Sequence, residues 1–166
     1  MKPSTRTIII AIILSIALFF IGQYSWGDIF ITILPIVGNV KYLETSLNGQ
    51  FINSMFFSLI LALTPIVTIL IWKFAPIFNT QRKILTVCII VLTMTASVLV
   101  RREMIKSQAK HLQPTTVLDY TDPANPQPKT IESGIPVSTL KFELFALAGL
   151  ITGSVISFFS LRQKTK

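Results

Sequence analysis

Side chains that do chemistry are scarce in this sequence. Among 166 residues there are one cysteine, one histidine and seven carboxylates, and charged residues make up 13% of the chain. A soluble domain carries roughly 25%, so this chain has too little charge to cover a water-facing surface. Cys88 lies inside an apolar run and has no second cysteine to pair with, which excludes an internal disulfide. His111 stands alone too, which excludes a Cys/His zinc site or a bis-histidine haem built by one chain. There is no G-x-S-x-G, no H-E-x-x-H, no C-x-x-C and no phosphate-cradling glycine loop. Asp119 and Asp122 share a proline-rich segment too loose to hold a catalytic geometry. Glu103 and His111 would stand about 12 Å apart along a helix axis and not meet. Neither enzymatic activity nor a cofactor is expected.

What remains is apolar. Hydrophobic residues are 51% of the chain. Four runs, 7–24, 51–72, 84–100 and 142–161, approach or reach the roughly 20 residues that cross a bilayer. Their central portions hold no Asp, Glu, Lys, Arg or His and show no polar stripe. The expected fold is an all-α membrane protein, one domain over 1–166 with four transmembrane helices. Proton relays and ion-coupled carriers need intramembrane charge, and these spans offer none. Lys2 and Arg6 ahead of the first run resemble the basic start of a signal peptide. The following "FFIGQYSWG" has no small-x-small cleavage site, so the first helix is expected to be retained.

Residues 27–40, "GDIFITILPIVGNV", are too short to cross and are interrupted by Pro35. They are expected to form an interfacial or re-entrant segment anchored by Tyr24 and Trp26. The alternative is a plain lengthening of the first helix. A long polar loop, 101–141, separates the third and fourth spans. Its proline-rich centre, "DPANPQPK", favours extended backbone and builds no core, so it is either mobile or draped over another protein. Val117-Leu118-Asp119-Tyr120 is a candidate strand for a partner's groove.

Four crossings place both termini and 73–83 on one side, with eight basic residues and no acid. Segments 25–50 and 101–141 share the other side, which with Glu143 at the entry to the fourth run holds seven basic residues and all seven acids. The count of Lys and Arg is nearly tied. The basic flank of the first helix and the short basic turn favour cytoplasmic termini and external loops, in a bacterial cytoplasmic membrane. Arg101 and Arg102 then end the third span on the outside. Arg102, Lys106 and Lys110 recur at four-residue spacing on one helix face. They form either a docking stripe for an acidic partner or lipid headgroups, or a solvated helix end.

Small residues recur at four-residue spacing within the spans: Gly149, Gly153 and Ser157 on the fourth, Ser54, Ser58 and Ala62 on the second. Ala11 with Ser15 and Thr93 with Ser97 repeat the theme. Lipid gives helices no hydrophobic reason to associate, so close backbone approach at such residues supplies the packing. The stripe on the fourth helix suits either an internal contact or one between chains. Pro65 should kink the second helix.

The layout is similar to that of four-helix bacteriocin immunity proteins, with inside termini, a short basic inner turn and two polar outer segments. The resemblance is one of layout, and no residue role is carried over from it. The leading expectation is a non-catalytic accessory or interaction protein that binds a partner membrane or exported protein, without nucleic acid. Asp119 and Tyr120 join the basic stripe as candidate partner-binding residues. The alternative is an oligomeric channel or carrier component, with Ser54, Ser58, Thr93, Thr95 and Ser97 lining a path between copies.

Overall fold

The computed structural model describes residues 5–35, 41–43, 47–75, 77, 79–112, 115–119, 127–131 and 134–161. Four helices carry the fold: α1 (Thr5–Ile33), α2 (Leu47–Phe74), α3 (Thr80–His111) and α4 (Phe142–Leu161). Each is long and apolar enough to cross a membrane. In hydrocarbon a backbone must satisfy its own polar groups, and uninterrupted runs of Ile, Leu, Val and Phe do so as helices. Asn79 caps α3, its side chain accepting the Gln81 N–H at 2.9 Å. At the other end the Leu112 N–H closes on the Ala109 carbonyl at 3.2 Å, two residues before Pro114. Pro65 lies within α2, which continues through it. The hydroxyls of Thr64 and Thr68 donate to carbonyls one turn back, Ile60 at 3.1 Å and Thr64 at 2.7 Å.

α1 corrects the expectation of a separate interfacial or re-entrant segment. Its 29 residues run unbroken through Gly27 to Ile33, and the Leu34 N–H still bonds the Phe30 carbonyl at 3.0 Å. The cause is tertiary. The Trp26 ring meets Phe57 of α2 at 5.0 Å between centroids, and Phe30 meets Phe142 of α4 edge-on at 6.0 Å. An aromatic face at helical spacing outweighs one glycine. Residues 36–40 of that segment lie outside the described residues.

At 1.5 Å per residue, α1 spans about 43 Å and α3 about 48 Å, against a core of about 30 Å. α4, with 20 residues, matches the core. α1 and α3 are therefore longer than the core, as is α2 with 28 residues, and a small cap gathers around the ends of α1 and α3. In it, β1 (Lys41–Leu43) pairs in parallel with a strand from the long loop, Gly134–Pro136, with Tyr42 opposite Ile135. A 3-10 turn, Val137–Thr139, leads on to α4. Ile105, Ala109, Ile135, Val137, Leu140 and Phe142 are buried and belong to one apolar cluster. Within the loop, β2 (Thr115–Asp119) pairs antiparallel with β3 (Gln127–Ile131), and the cap strand Gly134–Pro136 is β4. Val117, Leu118 and Asp119, the stretch read as a strand for a partner, already have a ladder within their own chain. These are two-stranded ladders, and the architecture is that of four helices.

The helices pair unevenly. α3 with α4 and α1 with α2 make the extensive contacts, and α2 with α4 joins the two pairs. α2 and α3 touch little although they are neighbours in sequence, and α1 and α3 hardly touch.

Candidate functional site

Where the third apolar run meets Arg101 and Arg102, the described residues form a polar constellation. The two side chains leave α3 in different directions, and each seizes the end of another element. Arg101 donates through Nε to the Leu140 carbonyl at 2.7 Å and through a terminal nitrogen to the Thr139 carbonyl at 2.8 Å. Its guanidinium also sits 5.4 Å from the Phe145 ring centroid. These contacts brace the turn into α4, where Lys141 has φ of 53°, a left-handed conformation that costs a residue with a Cβ about 1 kcal/mol or more. Arg102 donates through Nε to the Ile33 carbonyl at 3.1 Å, so a cation caps the negative end of α1. Tyr42 reaches the same helix end, donating its hydroxyl to the Pro35 carbonyl at 2.6 Å. Burial raises the Tyr42 phenol above its usual 10.0, and nearby Arg102 pulls it partly back.

The rest of the basic stripe behaves differently. Glu103 accepts weak ion pairs from Arg102 at 3.5 Å and Lys106 at 3.7 Å, all three partly or largely exposed. Lys110 is exposed on the last turn of α3, beside His111. Of the three residues read as one face, Arg102 is thus engaged in the fold, while Lys106 and Lys110 face outward on a rigid, projecting helix. Asp119 is placed only as the end of β2, and Tyr120 lies outside the described residues.

The small residues sit at helix seams. Gly149, Gly153 and Ser157 are all buried, along one side of α4. A Cβ on Gly149 would stand 2.5 Å from the Met94 Cα and 2.6 Å from the Thr93 carbonyl oxygen. One on Gly153 would collide with the Thr93 hydroxyl and approach the Ile90 Cα to 2.9 Å. The stripe is spent inside the chain, against α3. On α2, Ser58 is fully buried and donates to the Ser54 carbonyl at 2.7 Å, and Ser54 donates to Gln23 of α1 at 3.2 Å. Ala62 is half-buried. Sequence reasoning missed Gly22, whose missing Cβ would lie 2.8 Å from the Ser58 hydroxyl. The signal was available, because Ala11, Ser15 and Gly22 follow one helical face and all are buried. It also missed the separate tasks of Arg101 and Arg102, for which sequence shows charge and not the carbonyls it meets.

Where α1 and α3 fail to meet, the structure leaves two cavities, of about 310 and 350 Å³, floored by α2. Both are lined by Leu18, Thr64 and Val91, so they are chambers of one groove.

These observations define an integral, multi-pass membrane protein of four helices with a cap on the side opposite its termini. No protein family matches the sequence, and no curated protein or solved structure is significantly similar to it.

Proposed function

We propose that this chain is a non-catalytic accessory or immunity-type membrane protein that recognises a partner membrane or exported protein through its cap. The observation that carries this reading is the last three turns of α3. They extend past the apolar run as a helix held at its base by Arg101 and Arg102, with Lys106 half-exposed and Lys110 exposed. A helical element that leaves Lys110 exposed, and Lys106 tied only to a weak surface ion pair with Glu103, is suited to a docking surface. In this reading the termini are cytoplasmic and the cap is external, in a bacterial cytoplasmic membrane. That orientation gains support from the clamps: two of the seven basic residues on the cap side are committed to backbone carbonyls, whereas the terminal side carries eight and no acid.

The oligomeric channel has less behind it. Ser54 and Ser58 are buried in one chain and Thr93 lies against Gly153, so little of the polar stripe is left for a path between copies.

The test is purification of the full chain from its native membrane in mild detergent, followed by mass spectrometry of the intact complex. A defined partner should co-purify in fixed ratio. The double variant Lys106→Glu/Lys110→Glu should lose it by about tenfold or more, the order of effect of reversing two charges at an interface, with unfolding temperature unchanged. Recovery of only copies of this chain, or a partner indifferent to the reversal, overturns the reading.

A further inference from the structure

We propose that the groove between α1 and α3 is a binding site for one acyl chain of an anionic phospholipid, with its headgroup at the terminal side of the membrane. The lower chamber opens beside Thr7 of α1, Trp72 of α2 and Val87 of α3. The Lys83 ammonium stands 5.6 Å over the Trp72 ring, one turn before Val87, and Arg6 precedes Thr7. No acidic residue occurs in segments 1–27 or 45–102, so the mouth is uniformly positive. An anionic headgroup is the complement of that charge, and a Lys or Arg beside such a headgroup favours it markedly. Above the mouth the walls are mainly Leu, Ile and Val side chains, with Ala11, Met94 and Thr95 among them. The floor contributes only the hydroxyls of Thr64 and Thr68, which already donate within α2. Nothing there asks for more than a hydrocarbon chain. The indole N–H of Trp72 is buried with no partner among the described residues, and a turn of the ring would offer it to a phosphate oxygen.

Charge and volume argue against other occupants. A second copy of this chain lies in the membrane with the same orientation and would bring only basic residues to the same mouth. A transmembrane helix about 10 Å across fills roughly 400 Å³ with each 5.4 Å turn, more than either chamber holds. A helix would have to push α1 and α3 apart, whereas a single acyl chain would not.

The experiment reconstitutes the full chain in vesicles of equimolar phosphatidylglycerol and phosphatidylcholine, extracts it gently and weighs the retained lipid by native mass spectrometry. One lipid per chain should remain, with phosphatidylglycerol preferred by at least about fivefold, as one basic residue at the headgroup would produce. Lys83→Gln should cut that preference to less than about half. Val91→Phe, which fills the junction of the chambers at an outward-facing position, should abolish retention of both lipids. A photo-reactive residue at Leu14, on the groove wall, should label lipid in the native membrane. No retained lipid, equal retention of the two lipids, a Val91→Phe variant that still holds phosphatidylglycerol, or Leu14 labelling of a second copy or another protein would each overturn the proposal.

Discussion

Two helix seams run side by side through the membrane part of this chain. Between α3 and α4, Gly149 and Gly153 let the backbones come so close that a single added carbon would strike Met94, Thr93 or Ile90. Between α1 and α3 the facing residues include Ile10, Leu14, Leu18, Val87 and Val91, and the helices stand apart around a groove. The second seam has large apolar side chains on both sides, yet it is the open one. In water the reverse would be expected, because burying large apolar side chains drives association. In lipid the hydrocarbon tails compete on equal terms with Leu and Ile, and only backbone proximity and shape favour contact between helices.

The comparison is broken most severely at Gly149. Gly149→Leu should cost about 3 kcal/mol or more, because the obstacle is the backbone of α3, which cannot turn aside. The check is thermal unfolding of the purified protein in one detergent, and an unchanged midpoint would contradict the closed seam. Gly22→Leu, at the α1–α2 seam, should cost about 1–2 kcal/mol. There the first atom met is the Ser58 hydroxyl at 2.8 Å, a side-chain end that can rotate, although the Ser58 Cα follows at 3.0 Å. Measured the same way, it should fall between the two extremes. Val91→Phe should change stability by no more than about 0.5 kcal/mol when no lipid is added, because the new ring enters space that is already open. A large loss there would mean that the α1–α3 seam is as tight as its neighbour.

How much of this was legible in sequence depends on whether the cause is local. The four spans were, because length and hydropathy alone decide what can cross. So was the stripe Gly149, Gly153, Ser157, though not its partner, since a stripe of small residues looks the same whether it faces Ile90 and Met94 or another chain. The helical continuation through Gly27 was not legible as the leading reading. It depends on Phe57 and Phe142, which arrive from elsewhere in the chain. Arg101 and Arg102 read as a charge cluster because their targets, the carbonyls of Thr139, Leu140 and Ile33, are set by tertiary structure. The groove was out of reach for the same reason: it is a contact that does not form, and no residue marks it.

The ladder joining Lys41–Leu43 to Gly134–Pro136 has a bearing on biosynthesis. Its strands are separated in the chain by two membrane crossings, and its register also places Thr139 and Leu140 where Arg101 can grip them. A nascent chain that has inserted three helices holds the strand Lys41–Leu43 and Arg101 in readiness, but both lack the backbone they pair with until 134–140 emerges on their side. That backbone lies in the loop between α3 and α4, so it reaches them only when the loop has been carried to the same face. The clasp therefore closes late, and only on a chain whose third crossing delivers its following loop to the face that holds Lys41–Leu43.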